Sequence, residues 1–306
     1  MGTHISVIMP AYDEAPNLAE IVPRTVAVLE GVGTTFEVVV VDDGSTDETR
    51  SLLRRLSDAH PGVRLLRLRR NCGKSTALQA GFDHTDGEVV VLLDADGQDD
   101  PAEIPALLDA LAAGADLVTG RRVVRHDRMV KRNTSKLYNR VTAGVTGVAG
   151  RDFNSGLKAM TRSVADAVEL YGELHRYVPV LAAWAGFTVA EVDVAHHARL
   201  HGTSKFDRSR FWRGFLDLLT VKFLTTYTAR PFHLFGGIGL LSGTLGAVLL
   251  AWMGVSKLAG NAVGQRPALL IGVLLVVVGV QLMSLGLLAE LVVHYRRPRS
   301  SEVLVE

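Results

Sequence analysis

The chain contains only one cysteine, Cys72, among its 306 residues. A single thiol excludes an intramolecular disulfide and suits a reducing compartment. An excess of charge of either sign is also missing, because 33 Lys and Arg residues offset 32 Asp and Glu residues and leave a net charge of +1. The composition therefore gives no general electrostatic argument for a nucleic-acid partner, and we expect none.

The first residues lack the basic start and the apolar core of a secretory signal peptide. A short strand-like run begins at Ile5 instead. Long apolar runs occur near the other end of the chain, at about 232–255 and 268–293. Each is long enough for a transmembrane helix, which needs roughly 20 apolar residues. We therefore expect a two-helix transmembrane hairpin.

Basic residues crowd the outer flanks of this predicted hairpin. They are Arg208, Arg210, Arg213, Lys222 and Arg230 before the first helix, and Arg296, Arg297 and Arg299 after the second. The loop between the helices offers only Lys257 and Arg266. Because cytoplasmic flanks are enriched in basic residues, we expect both ends of the hairpin and the preceding domain in the cytoplasm. This predicts a multi-pass protein of the inner (plasma) membrane, with a cytoplasmic tail at 294–306.

Two further patterns concern the membrane. Residues 208–231 mix apolar and basic positions at helical spacing, which predicts a juxtamembrane amphipathic helix in the interface; an ordinary surface helix is the alternative. Gly239 and Gly243 stand four apart in the first apolar run, and small residues at this spacing let helices approach closely. This second pattern indicates either packing within the hairpin or a homo-oligomer.

Short β-branched runs alternate with helical patterns over the first 120 residues. The strand-like runs are 5–9, 36–41, 63–68, 89–93 and 117–119, and the helical stretches are 18–30, 47–59, 74–85 and 103–113. Such alternation predicts an α/β domain with a doubly wound, mostly parallel sheet. Ser45 and Glu48 predict a capping box for the second helix. The runs 155–160 and 188–194 again look like strands, which extends the predicted domain over 1–207.

Ligands of such sheets bind beyond the carboxyl ends of the strands, and polar residues cluster there. They follow the first, second and fourth predicted strands, at 12–14, 42–44 and 94–100. Asp94, Asp96 and Gln98 carry hard oxygen ligands at alternate positions, which suits Mg²⁺ or Mn²⁺ shared with substrate phosphates. The alternative is a loop of solvated acids, because a lone Asp-x-Asp is a weak signal.

An ordered set of motifs extends along nearly the whole chain. The motifs are Pro10–Glu14, Val41–Asp47, Arg70–Lys74, Asp94–Gln98, Asn154–Gly156, Gly172–Tyr177 and Arg199–Lys205. Together they resemble the motifs of family 2 glycosyltransferases. With the two apolar runs, the chain looks like the polyprenyl-phosphate branch, which includes dolichol-phosphate mannose synthases and bactoprenol glucosyltransferases. The resemblance implies a GT-A fold, inverting transfer from a nucleotide sugar to polyprenyl phosphate, and a divalent metal.

The resemblance also implies roles for individual residues. The residues that would bind the donor nucleotide are Pro10, Tyr12, Glu14, Asp42, Asp43, Lys74, Asp94, Ala95, Arg199 and Lys205. Metal binding falls to Asp94, Asp96 and Gln98, and acceptor-phosphate binding to Arg121, Lys131 or Arg132, and Ser135. Asp96 and Lys205 would contribute directly to catalysis, the first through the metal and the second through the leaving diphosphate.

The acceptor phosphate is already charged near neutral pH, so it can attack without a strong base, and catalysis would rest on positioning and electrostatics. Asp152 is the nearest candidate for a general base, and a loop-capping carboxylate is the equal alternative. His196, His197 and His201 form a weaker candidate metal cluster, because a single loop with no acidic partner is a poor site.

Two other functions compete with the polyprenyl-phosphate glycosyltransferase interpretation. A processive polysaccharide synthase usually carries a Gln-x-x-Arg-Trp signature, which this chain lacks. A non-catalytic membrane scaffold would have no need of the acidic and basic motif residues. No side chain separates uracil from guanine, or glucose from mannose. The two-helix tail resembles that of the bactoprenol glucosyltransferases and favours UDP-glucose as donor, with GDP-mannose as the alternative.

Overall fold

The computed structural model describes residues 4–122, 142–144, 146–148, 150, 152–197, 216, 219–223, 226–227, 230–260 and 267–296. The chain divides into two compact units, Met1–Val221 and Lys222–Glu306. Only scattered positions of the predicted juxtamembrane helix at 208–231 fall among the described residues, so that helix stays a prediction.

Seven strands form one sheet in the described part of the first unit. They are β1 (Ile5–Ala11), β2 (Phe36–Asp42), β3 (Val63–Arg67), β4 (Val89–Leu92), β5 (Leu117–Arg122), β6 (Lys158–Thr161) and β7 (Val189–Val194). Their order across the sheet is β3-β2-β1-β4-β6-β5-β7. Only β6 runs antiparallel to its neighbours, whereas the other pairs are parallel. The predicted doubly wound, mostly parallel sheet is confirmed, and six strands end at one common edge.

Helices cover this sheet because its strands are apolar on both faces. They are α1 (Ala15–Val32), α2 (Thr49–Ala59), α3 (Lys74–Asp83), α4 (Ile104–Ala112), α5 (Arg162–Ala167) and α6 (Val178–Trp184). The run Val38–Val41 in β2 is fully buried, as expected for a strand covered on both faces. Leu18, Ile21, Val22 and Leu29 form the apolar stripe of α1 that packs on the core.

The predicted capping box at α2 is wrong. The helix begins at Thr49, and the Asp47 carboxylate accepts the Thr49 N–H at 2.9 Å. Ser45 has a different task, because its hydroxyl accepts the Asp13 N–H at 2.9 Å and its own N–H donates to Asp42. Ser45 therefore joins the loops that follow β1 and β2, and it is not available to cap a helix.

The second unit is built around two long helices, α7 (Pro231–Leu258) and α8 (Pro267–Arg296). By length and composition, both are able to cross a membrane. They pack through glycines: a Cβ added at Gly279 would lie 2.6 Å from the Gly239 carbonyl and 2.7 Å from the Gly243 nitrogen. The Ser242 hydroxyl donates to the Leu275 carbonyl at 2.9 Å. The predicted use of Gly239 and Gly243 in hairpin packing is confirmed, whereas a homo-oligomer stays a prediction.

Candidate active site

The carboxyl edge of the sheet gathers the polar residues that the sequence singled out. Segments 12–14, 43–45 and 94–100 follow β1, β2 and β4, and Arg122 ends β5. The antiparallel strand β6 begins at this same edge with Lys158, which lies beside Leu92 of β4 and Thr119 of β5. The topology therefore brings acidic loops and basic strand ends together.

Asp42 and Asp43 shape the loops on the β1–β2 side of this edge. Both oxygens of Asp43 accept backbone N–H groups, from Cys72 at 2.7 Å and from Gly73 at 2.9 Å. Asp42 accepts the Ser45 N–H at 2.8 Å and lies 3.2 Å from the Arg67 guanidinium. Both carboxylates are buried and hold the loops in place, and their predicted role in binding the donor nucleotide stays a prediction. The partly exposed Pro10, Tyr12 and Glu14 lie on the neighbouring loop and strand end.

The loop after β4 presents its oxygen ligands on one face. Asp94, Asp96 and Gln98 are partly exposed, whereas the intervening Ala95 and Gly97 are buried. Asp96 accepts the Gln98 N–H at 3.1 Å, and Gly97 has a φ of 71°, which glycine adopts without strain. This alternation is the arrangement that the sequence predicted for a divalent cation site.

Cations surround Asp94 on its protein side. The Lys74 ammonium donates to the Asp94 carboxylate at 2.5 Å. Burial alone would raise the pKa of Asp94, but the nearby Lys74, Lys158 and Arg122 outweigh burial and lower it. The residue is therefore held as a carboxylate, the form that binds a metal. Because the exposed donors are all hard oxygens, they fit Mg²⁺ or Mn²⁺.

Lys158 is a buried cation that the sequence analysis missed. Its side chain is 3% exposed, and its ammonium donates to the Ser155 carbonyl. Burial and the positive charge of Lys74 lower the pKa of Lys158 to about 8, although Asp94 and Asp152 oppose this shift. A lone Lys in the apolar run Leu157–Met160 was the available signal, because a charge in a buried strand needs a partner.

Arg121 and Arg122 point away from each other, since successive side chains in a strand alternate. Arg121 donates to Asp193, its cross-strand neighbour on β7, at 2.6 Å. Arg122 donates to both oxygens of Asp152, at 2.7 and 2.8 Å. Burial opposes the charge on Arg122, but Asp152, Asp99 and Asp94 outweigh burial and raise its pKa. Arg122 is therefore the arginine whose charge interacts with the carboxylates of the loop after β4.

Comparison with known proteins now identifies the class. The model of glycosyl transferase family 2 matches residues 6–168, which include the oxygen-ligand loop, Arg122, Asp152 and Lys158. The chain belongs to glycosyltransferase family 2. The resemblance seen in the sequence motifs is thereby confirmed.

This family 2 glycosyltransferase is similar to two relatives over nearly its whole length. The dodecaprenyl-phosphate galacturonate synthase of Rhizobium johnstonii is 36% identical over 309 aligned positions, covering 98% of this chain and 91% of the relative. The undecaprenyl-phosphate 4-deoxy-4-formamido-L-arabinose transferase of Edwardsiella ictaluri is 35% identical, covering 94% of this chain and 87% of the relative. Because they cover 98% and 94% of this chain, both alignments extend into the two apolar helices.

Solved structures establish the fold. The glucosyl-3-phosphoglycerate synthase of Mycobacterium tuberculosis, solved in complex with Mn²⁺ and UDP-glucose, matches with a TM-score of 0.56 and 20% identity. The match covers 73% of this chain and 79% of that structure. The family 2 glycosyltransferase described here therefore has the expected GT-A fold.

A second contact missed by the sequence analysis docks the segment Gly172–Tyr177 on helix α3. The Ser75 hydroxyl lies 2.9 Å from His175 Nδ1 and accepts the His175 N–H at 3.1 Å. Gln79 of the same helix accepts the Leu170 N–H at 2.7 Å. Because α3 begins at Lys74, this docking fixes the helix that carries the cation nearest to Asp94.

Several predicted site residues lie outside the described residues. They are Lys131, Arg132, Ser135, Arg199, His201 and Lys205. Of the candidate histidine cluster, His196 faces Asp99 and His197 lies 3.2 Å from Asp100, so the two histidines contact different carboxylates. The roles assigned to all these residues stay predictions.

Proposed function

We propose that this glycosyltransferase moves a sugar from a nucleotide sugar to polyprenyl phosphate at the cytoplasmic face of the inner membrane, with inversion at the anomeric carbon. The products would be a polyprenyl-phosphate sugar and a nucleoside diphosphate. The observation that carries the proposal is a pairing of two features at one sheet edge. The partly exposed oxygens of Asp94, Asp96 and Gln98 lie on the same edge as the buried cation Lys158 and the partly exposed Arg122.

Such an edge suits a reaction with two phosphate-bearing substrates. Asp94, Asp96 and Gln98 would hold Mg²⁺ or Mn²⁺, which would neutralise charge on the leaving diphosphate when bound. Lys74 at the start of α3 contacts Asp94 and would meet the same diphosphate as a point charge. One acceptor oxygen would form a bond to the anomeric carbon while the bond from that carbon to the diphosphate breaks.

The geometry favours Arg122 over Arg121 for the acceptor phosphate. Both guanidiniums are paired with a carboxylate, Arg121 with Asp193 and Arg122 with Asp152. They differ because the charge of Arg122 also interacts with Asp94 and Asp99 of the loop after β4. Asp152 itself is 1% exposed and accepts two bonds from Arg122. We therefore assign Asp152 the task of orienting Arg122 and not that of a general base, which the acceptor phosphate does not need.

The identity of the donor sugar is a separate part of the proposal. The sequence favoured UDP-glucose with GDP-mannose as the alternative, but the two relatives are named for galacturonate and for a formamido-arabinose. The alignment with the first of these relatives covers 98% of this chain at 36% identity. We therefore place galacturonate and 4-deoxy-4-formamido-arabinose beside glucose among the sugars to be tested, each as its UDP derivative.

The test is transfer by the full-length protein in detergent or membranes. Undecaprenyl phosphate would be supplied with each UDP-sugar and with GDP-mannose in turn, in the presence of Mn²⁺. We expect one donor to yield a lipid-linked sugar and a nucleoside diphosphate in equal amounts. Nucleoside diphosphate release without a lipid product would show that polyprenyl phosphate is not the acceptor. No turnover with any donor, with the Asp96→Ala control behaving identically, would favour the scaffold alternative.

A further inference from the structure

Asp99 is a buried carboxylate that the proposed mechanism does not use. It follows Gln98, and its side chain turns away from the exposed face of the loop, with 3% of its surface accessible. Burying a carboxylate is costly unless hydrogen bonds or opposite charges compensate for the lost water. The surroundings of Asp99 must therefore explain why it is there.

One oxygen of Asp99 faces a histidine that is equally buried. Oδ1 lies 3.5 Å from His196 Nδ1, which is longer than a normal hydrogen bond. Neither atom has a hydrogen-bond partner among the residues that the structure describes. The backbones of these two residues form an antiparallel bridge, and the His197 N–H donates to the Gln98 carbonyl at 2.8 Å. His196 is thus fixed against the cation loop by its main chain.

The other oxygen of Asp99 approaches Gly156 beside an oxygen of Asp94. A Cβ added at Gly156 would lie 2.6 Å from Asp99 Oδ2 and 2.5 Å from Asp94 Oδ2. Two carboxylate oxygens therefore converge on one point that only a glycine leaves free. Like charges this close repel each other, and a divalent cation in the loop would relieve that repulsion.

We propose that Asp99 is a positioning residue of the cation site, that it supplies negative charge from the buried side of the loop, and that His196 sets its orientation. Gly156 completes the arrangement by leaving room for both carboxylates. This inference rests on the proposed function, since it assumes that Asp94, Asp96 and Gln98 bind a divalent cation. It differs from a packing role because it requires an effect on cation affinity itself.

Mn²⁺ binding to the full-length protein, followed by the electron paramagnetic resonance signal of free Mn²⁺ and without either substrate, tests the proposal. We expect Asp99→Asn to weaken Mn²⁺ binding by about 10- to 100-fold, the usual effect of losing an outer partner of a metal site. His196→Ala should weaken it as well, and His196→Gln should recover part of the loss, because the amide can donate to Asp99. His84→Ala is the matched control, since its side chain is exposed and its ring contacts the Ala80 carbonyl at the end of α3.

The outcomes separate this inference from the proposed function. Asp99→Asn and His196→Ala proteins that bind Mn²⁺ like wild type overturn the inference, whether or not their thermal stability falls. Gly156→Ala provides a second route if Asp99→Asn does not fold, and undiminished Mn²⁺ binding there also overturns it. Failure of the wild type itself to bind Mn²⁺ overturns both the inference and the metal assignment, whereas sugar transfer is measured independently.

Discussion

Arg122 and Asp152 form a two-pronged ion pair in which Nε lies 2.7 Å from Oδ2 and Nη2 lies 2.8 Å from Oδ1. The carboxylate is buried, and the guanidinium is 15% exposed. Bidentate pairing of this kind fixes the plane of the guanidinium. The pair links the end of β5 to the residues that precede β6, on the flank of the sheet edge that we assign to the acceptor.

Loss of the Asp152 carboxylate should affect the stability of the fold first and the rate of transfer second. Asp152→Ala leaves a largely buried guanidinium without its partner, and we expect a loss of about 3–5 kcal/mol in the free energy of unfolding. Asp152→Asn, which keeps the shape, should lower turnover but leave the pH–rate profile unchanged. Disappearance of one limb of that profile in the Asn variant would show instead that Asp152 is a general base.

Asp96→Ala should abolish transfer while the fold persists, because the loop loses an oxygen ligand and no core packing. Excess EDTA should inactivate the wild type in the same way, and Mn²⁺ or Mg²⁺ should restore it. Thermal unfolding of the variant in the absence of metal provides the control for folding. Full wild-type turnover in EDTA would refute the metal assignment.

Lys158 should make stability rise with pH in the alkaline range. Its pKa falls from 10.5 to about 8 in the folded protein, so between these two values the unfolded chain binds more protons than the folded one. Stability then increases as the pH rises through that window, by at most about 3 kcal/mol. Lys158→Met removes this pH-dependent contribution to stability. The free energies of unfolding of variant and wild type, each measured in EDTA at pH 7.5 and at pH 10, give its size. An equal pH slope in both proteins would contradict the buried, depressed state of this lysine.

The hairpin should do more than attach the enzyme to the membrane. A chain that ends at Arg230 is expected to bind nucleotide normally but to transfer slowly to a long polyprenyl phosphate, because the helices concentrate and orient the lipid. A short, water-soluble acceptor phosphate should lose much less activity. Steady-state rates with both acceptors decide the point, and equal losses would count against a role in lipid presentation.

Lys205 lies outside the described residues, and its role stays a prediction from the motif. Lys205→Ala is expected to lower kcat by about 10²-fold or more, as for the loss of one contact to a charge that develops in the transition state. The KM for the lipid should change little. Normal turnover with a raised lipid KM would indicate a charge that only attracts anionic lipid.

The sequence predicted the sheet and the cation loop because their patterns are periodic. A run of β-branched residues is typical of a buried strand, as in β2. Polar residues at alternate positions are typical of a loop with one exposed face, as at Asp94, Asp96 and Gln98. The sequence predicted Arg121 for the acceptor phosphate and did not single out Arg122, because a shift of one position turns a strand side chain to the opposite face. The register of β5 against β7, which pairs Arg121 with Asp193, supports our proposal for Arg122.

Contacts between distant segments were beyond the reach of a single sequence. Ser45 and Glu48 have the spacing of a capping box, but Ser45 bonds to Asp13, 32 residues away. His175 meets Ser75 at a separation of 100 residues. Neither pair has a local pattern, because each depends on how the sheet orders its strands.

The glycines of the hairpin have a consequence for self-association. Gly239 and Gly246 on α7, and Gly272 and Gly279 on α8, all have the partner helix within 3 Å of where a side chain would begin. The contact surface that these glycines form is already occupied within one chain, so a second copy cannot pack against it. Positions at Gly237 and Gly254 are open, so a dimer between hairpins would have to form through surfaces other than this one.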